Sequence, residues 1–164
     1  MGFRKIMKHQ NQFLCSYNSA GLPESITYPG GKNGQAGETV TYSYSKRMLL
    51  ESMSGEDVYI SAVEYDIHGR LIQRSFNDGQ FSTLYEYYPW TIPVNGGKLK
   101  KIHTQNDISQ ALQDLHFNYD ARGNISSIHD SNNSEFSVFV YDELSRLTSV
   151  SITGSISYNE LFQY

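Results

Sequence analysis

Tyr65-Asp66-Ile67-His68-Gly69-Arg70-Leu71 is the stretch whose reading decides the fold. It recurs as Tyr119-Asp120-Ala121-Arg122-Gly123-Asn124-Ile125 and, with Ser for Gly, as Tyr141-Asp142-Glu143-Leu144-Ser145-Arg146-Leu147. The tyrosines keep a near-constant spacing: Tyr44 and Tyr65 stand 21 residues apart, Tyr65 and Tyr87 22, and Tyr119 and Tyr141 22. An internal repeat of about 20 residues fixes an architecture first, because each unit buries its apolar face only by stacking on its neighbours. Such chains build surfaces and walls more often than single catalytic pockets.

Degenerate copies fill the rest of the chain. Tyr17-Asn18-Ser19-Ala20-Gly21-Leu22 opens the series, and Tyr44-Ser45-Lys46-Arg47-Met48-Leu49-Leu50 follows it. Tyr87-Tyr88 begins a copy with an enlarged turn, its Gly-basic-Leu element displaced to Gly97-Lys98-Leu99. Tyr158-Asn159-Glu160-Leu161 reads as a last, truncated copy. The irregular spacings have local sources: a flexible glycine-rich loop at 29–37, the proline-bounded insertion around Trp90, and extra residues around Asn106-Asp107. The one helical hint lies at 107–114, where plain loop is the preferred reading. Thr153-Gly154 reads as a tight two-residue hairpin turn.

The residues ahead of each tyrosine alternate. Phe81, Thr83, Tyr85 and Tyr87 interleave with Ser82, Leu84 and Glu86, and Leu115, Phe117 and Tyr119 with His116 and Asn118. Period two in Tyr, Phe, Val and Thr predicts strands. Asp can accept backbone N–H groups within a turn, and Gly three residues later suits a left-handed closing residue. Each Tyr-Asp-x-x-Gly is therefore expected to be a hairpin corner, with Tyr ending one strand and Arg-Leu starting the next. Met48 and Ser145 in the Gly position suggest a different turn at those two corners, since a side chain there costs energy. Return turns are expected at residues 54–57, at Asn77-Asp78-Gly79 and at Ser131-Asn132-Asn133. The prediction is a single all-β domain over 1–164: an antiparallel meander of about 10–12 strands, forming a curved sheet that is part of a shell or a partly closed barrel.

Bulk properties exclude several classes. A formal net charge of −4 and short lysine clusters, Arg4-Lys5 with Lys8 and Lys98-Lys100-Lys101, argue against nucleic acid as a partner. No apolar run reaches membrane-span length, and the basic N-terminus lacks the apolar stretch of a signal peptide. A lone cysteine, Cys15, excludes an internal disulfide framework and reads as a half-buried strand thiol.

The recurring residues resemble the YD-repeat, or Rhs-repeat, family. Tyr65 to Leu71 matches that pattern at every fixed position: Tyr65, Asp66, Gly69, Arg70 and Leu71. Tyr119, Asp120 and Gly123, and Tyr141, Asp142, Arg146 and Leu147, carry the other clear copies. The resemblance runs from about Tyr17 to Tyr158. It implies a strip of antiparallel hairpins that spirals into a hollow shell, as in bacterial polymorphic toxins, the C component of insecticidal toxin complexes, and teneurins. It also implies a secreted or delivered bacterial protein. Partners would be the rest of a larger shell, a second copy through edge strands, or a cell-surface partner, and older accounts of the family add carbohydrate. Self-cleaving members carry Asp-Pro-x-Gly elements; no Asp-Pro occurs here, so no autoprotease residues carry over.

Chemistry-bearing residues are scattered. Asp66 with His68, and His129 with Asp130, could be drawn as metal ligands, but without an i, i+4 helical pair they read as solvated turn residues. No phosphate-binding glycine pattern closes with Gly-Lys-Ser/Thr. The expectation is a chain with no catalytic residues, no cofactor and no metal. The 13 tyrosines and 8 phenylalanines follow the repeat and read as cross-strand packing. Trp90 and Tyr88 are the candidate ligand platform, the basis of an alternative reading as a carbohydrate- or protein-binding module.

Overall fold

The computed structural model describes residues 13–30 and 36–164. They form strands β1 (Leu14–Tyr17), β2 (Pro23–Pro29), β3 (Ala36–Tyr44), β4 (Leu50–Ser54), β5 (Val58–Tyr65), β6 (Leu71–Phe76), β7 (Phe81–Tyr87), β8 (Leu99–Asn106), β9 (Ala111–Tyr119), β10 (Ile125–Asp130), β11 (Glu135–Tyr141), β12 (Leu147–Thr153) and β13 (Tyr158–Leu161). The pairing order is the sequence order, β1 through β13, in one antiparallel meander. The all-β meander is as expected, with 13 strands in place of 10–12.

Strand boundaries follow the repeat. Tyr17, Tyr44, Tyr65, Tyr87, Tyr119 and Tyr141 each end a strand, and Leu50, Leu71, Leu99, Ile125 and Leu147 each begin one. The basic residue of the Arg-Leu pair belongs to the corner, so the outgoing strand starts one residue later than expected. A β-bulge accompanies the tyrosine, with register shifts between Ser16 and Tyr17, Ser43 and Tyr44, Glu86 and Tyr87, and Val140 and Tyr141. Such bulges bend a strand and increase its local twist where pairing ends.

Three local readings are corrected. Asn106 ends β8 and Ala111 begins β9, so the segment read as loop or helix is a short hairpin followed by strand. The β12–β13 connection is not a two-residue turn: Ile152 pairs with Tyr158, leaving residues 153–157 between them. Tyr158 opens β13 and does not end a strand. Tyr164 instead stands beside the preceding corner, its ring 4.9 Å from the Arg146 guanidinium carbon. Residues 31–35 of the glycine-rich loop, and the Arg4-Lys5-Lys8 cluster, lie outside the described residues; Pro29 pairs with Ala36 across that loop.

Backbone packing divides the chain into two units, one holding the described residues up to 64 with 75–79, the other 65–74 with 80–164. In the first, Val40 and Ile60 are the buried apolar residues. Ile26 pairs with Val40, Tyr42 with Met53 and Met53 with Ile60, which places them on one face. The opposite face is a hydroxyl ladder: Ser16 Oγ to Ser25 Oγ 2.7 Å, Thr27 Oγ1 to Thr39 Oγ1 2.8 Å, and Ser43 Oγ to Ser52 Oγ 2.7 Å. Cross-strand hydroxyl pairs satisfy each other and favour a fixed register. In the second unit Phe117, Thr83 and Ser127 are buried, and Phe117 pairs with Ile128. No side chain among the described residues is completely buried. Cys15 lies in β1 as expected but is exposed, not half-buried.

Candidate functional site

The repeat builds the same five-residue corner many times. At Asp66 the backbone N–H donates to the Arg70 carbonyl at 2.9 Å, and the Gly69 N–H donates to the Asp66 carbonyl at 3.0 Å. Asp66 Oδ1 accepts the His68 and Arg70 N–H groups at 2.9 Å each. Asn18, Asp120 and Asp142 use a side-chain oxygen in the same way, and Ser45 its hydroxyl at 3.2 and 3.3 Å. The residue in the Gly position is left-handed throughout: Gly21, Met48, Gly69, Gly123 and Ser145 have φ of 77°, 61°, 83°, 94° and 59°. Met48 and Ser145 therefore keep the common turn and carry its strain, contrary to the expectation of a different one.

One further corner was not recognised as such in the sequence. Asn106 Oδ1 accepts the Gln110 N–H at 2.8 Å, and Ser109 is left-handed at φ 62°. In the enlarged copy the Tyr88 N–H donates to the Lys98 carbonyl at 2.9 Å and the Gly97 N–H to the Tyr88 carbonyl at 3.0 Å. Residues 89–96 thus stand where the ordinary corner has two residues, the two backbone closing bonds are kept, and Gly97 sits left-handed at φ 76° as the displaced Gly-basic-Leu element implied.

The second carboxylate oxygen explains the basic or amide residue at the fifth position. Arg70 Nε donates to Asp66 Oδ2 at 2.7 Å, Arg146 Nε to Asp142 Oδ2 at 2.7 Å, and Asn124 Nδ2 to Asp120 Oδ2 at 2.9 Å. Burial pushes the Asp66 carboxyl up, but the Arg70 N–H and guanidinium outweigh it and hold the group below the ordinary aspartate range. Asn124 chiefly lowers Asp120, and the Arg146 N–H chiefly lowers Asp142.

Within the second unit, successive corners are tied by the tyrosines. The hydroxyls of Tyr87, Tyr119 and Tyr141 donate to the carbonyls of Leu71, Leu99 and Ile125 at 2.8, 2.8 and 3.0 Å. The cation of one corner faces the tyrosine of the next: Arg70 lies 4.3 Å from the Tyr87 ring centre, Lys98 4.8 Å from that of Tyr119. Burial raises the pKa of all three phenols.

The proposed platform residues have different neighbours. Trp90 is 62% exposed, yet a Cβ on Gly97 would meet its ring at 2.2 Å, the Arg70 guanidinium lies 4.9 Å from its centre, and the His68 ring is edge-on at 5.9 Å. The Tyr88 hydroxyl donates to the Phe117 carbonyl at 2.9 Å. Tyr88 also borders a shallow cleft of about 540 Å³ with Lys100, His116, Asn118, His129 and Phe136. Beside that cleft, Asp114 Oδ1 lies 3.0 Å from Lys101 Nζ and 3.1 Å from His116 Nε2, and Asp114 Oδ2 3.7 Å from His103 Nδ1. Partial burial pushes the Asp114 carboxyl up, but Lys101 and then the His116 and His103 rings prevail and lower it. This cluster was not singled out in the sequence, because only register brings these β8 and β9 side chains together. The pairs drawn from sequence are not assembled as ligands. The His68 ring faces Trp90, and Asp130 accepts the Asn132 and Asn133 N–H groups at 3.0 and 3.2 Å. No group of three or more His, Cys, Asp or Glu among the described residues is placed to hold a metal, and no described helix is long and apolar enough to cross a membrane.

No protein-family profile matches the chain. No curated protein matches it either. Solved structures do. A chain of the TcdB2-TccC3-Cdc42 complex aligns over 85% of this chain at 22% identity with a TM-score of 0.67. A chain of the Photorhabdus luminescens Tc holotoxin pore aligns over 85% at 21% identity with a TM-score of 0.68, and one of TcdB2-TccC3 over 85% at 22% with 0.68. This chain spans 7% of the length of each. At this identity the likeness is one of fold: the meander of 13 strands is similar to a short stretch of these toxin-complex chains.

Proposed function

We propose that this chain is a non-catalytic, wall-forming segment of a larger YD-repeat shell, of the kind found in Rhs-type toxins and surface proteins. One observation carries the reading: the corner is reproduced at Asn18, Ser45, Asp66, Asn106, Asp120 and Asp142, and in enlarged form at Tyr88, with tyrosine hydroxyls tying one corner to the next. That regularity serves extension of a sheet, since in the second unit a strand-opening carbonyl of one copy accepts the hydroxyl of the next tyrosine. The fold likeness to chains of Tc toxin complexes supports the same reading, as does the Tyr-Asp-x-x-Gly period. The signature aspartates are held as ionised acceptors by their own corners, an environment suited to turn formation and ill suited to general acid chemistry.

A wall segment has edges that seek strands. β1 and β13 end the pairing order, and exposed Leu14, Tyr17, Tyr158 and Leu161 lie on them. Strands left at the end of the pairing order among the described residues can template further pairing. Size-exclusion chromatography with light scattering on the isolated chain should show concentration-dependent association, reduced by Leu14→Lys with Leu161→Lys. A monomer that persists at high concentration would argue for a self-sufficient domain. The competing reading, a carbohydrate- or protein-binding module built on Trp90 and Tyr88, draws support from the exposure of Trp90. A tryptophan fluorescence titration with a sugar panel separates the two, because a wall segment gives no saturable change.

A further inference from the structure

We propose that His116 and His129 form a two-histidine site for a divalent transition-metal ion on the face of β9 and β10. The two residues are directly opposed in register, so their side chains project from the same face of adjacent strands. Their ring centres are 6.1 Å apart, with a tilt of 36° between planes. An imidazole bound through nitrogen at about 2.0–2.1 Å has its ring centre about 3.2 Å from the ion, so two rings can share one ion only when their centres lie within about 6.4 Å. The pair satisfies that limit, and closing by about 1 Å gives a tetrahedral angle.

The surroundings orient the rings. Asp114 Oδ1 lies 3.1 Å from His116 Nε2, so a small turn of the ring would let the carboxylate accept the Nε2–H and leave Nδ1 to bind, the outer carboxylate arrangement that supports metal-bound histidines. Ser131 Oγ lies 3.5 Å from His129 Nδ1 and can accept a hydrogen bond from an N–H there, in the tautomer that leaves Nε2 to bind. Asp114 Oδ1 makes no well-directed hydrogen bond as placed, and a ring N–H would share it with Lys101 Nζ at 3.0 Å. Of the neighbouring cations, Lys101 is paired with Asp114 at 3.0 Å and Lys100 with Glu86 at 3.5 Å. The cleft along Tyr88 and Phe136 leaves room for the waters that complete the coordination shell. Neutral imidazole pairs suit Zn²⁺, Ni²⁺ and above all Cu²⁺.

The test is titration of the whole chain with Cu²⁺ and Zn²⁺ by calorimetry at neutral pH. One ion should bind, with His116→Gln or His129→Gln each weakening it at least tenfold, Asp114→Asn weakening it several-fold, and His103→Gln leaving it unchanged. An affinity unchanged from that of the unmodified chain in either histidine variant, or no binding at all, would overturn the proposal, and any binding that remained would be assigned to exposed Cys15 or to another histidine. Should a variant unfold, imidazole resonances of the unmodified chain decide. Zn²⁺ must shift His116 and His129 together; movement of only one, or of neither, rejects the shared site.

Discussion

At the scale of single residues, the left-handed position is where sequence and backbone disagree most. Met48 and Ser145 hold φ of 61° and 59° at the place that Gly21, Gly69 and Gly123 occupy elsewhere. A side chain there costs about 1 kcal/mol relative to glycine. Met48→Gly and Ser145→Gly should therefore each stabilise the chain by about 0.5–1 kcal/mol, whereas Gly123→Ala should destabilise it by a similar or larger amount; urea denaturation reads both. The aspartates at the first position give a second expectation, in pH. Their folded pKa values lie below the ordinary 3.8, so the folded state favours the carboxylate. That contribution is fully present above about pH 4 and is lost as pH falls through the lowered folded values. Asp→Asn at 66, 120 and 142 together should flatten the acid limb of the stability curve below pH 4, because an amide oxygen accepts the same N–H bonds without titrating. An unchanged acid limb would assign it to other carboxylates.

At the scale of elements, the enlarged corner shows how an insertion is accommodated. Residues 89–96 leave the Tyr88–Lys98 closure in place, and the Trp90 ring fills the space over Gly97 that a Cβ would take. Gly97→Ala should then cost more than Gly123→Ala, by about 1–2 kcal/mol from overpacking. In a Trp90→Ala background that excess should vanish, leaving only the left-handed penalty, so a double-mutant cycle by denaturation isolates the contact. The tyrosine ties give a parallel case. Tyr119→Phe and Tyr141→Phe each remove a hydroxyl from a strand-opening carbonyl and should each cost about 1 kcal/mol. Much of this level was legible in the sequence: the Tyr-Asp-x-x-Gly period placed the strand ends at Tyr65, Tyr119 and Tyr141, because turn chemistry is local. Asn106-Asp107-Ile108-Ser109-Gln110 escaped, since Asn and Ser replace Asp and Gly together and no tyrosine precedes them. The Asp114 cluster and the His116–His129 pair escaped for another reason. They depend on register between strands, and the bulges at each corner shift that register by a residue that composition does not reveal.

At the scale of the molecule, stability has to be distributed along the chain. Each strand pairs only with its sequence neighbours, and no described side chain is completely buried. A chain built this way behaves as a sum of local units and nearest-neighbour interfaces, with no single central core. Its two packing units each have their own sparse buried set, Val40 and Ile60 in one, Thr83, Phe117 and Ser127 in the other. Opening free energy should therefore vary from strand to strand, since local openings expose little apolar area at an edge and more around a buried residue. Hydrogen exchange followed by mass spectrometry should show the slowest amides in β3, β5, β9 and β10 and the fastest in β1 and β13. Val40→Ala should speed exchange in the first unit while leaving β9 and β10 within about a factor of two, because each strand pairs only with its sequence neighbours. Uniform acceleration across all strands would instead reveal one cooperative unit, and with it a degree of coupling that nearest-neighbour pairing does not supply.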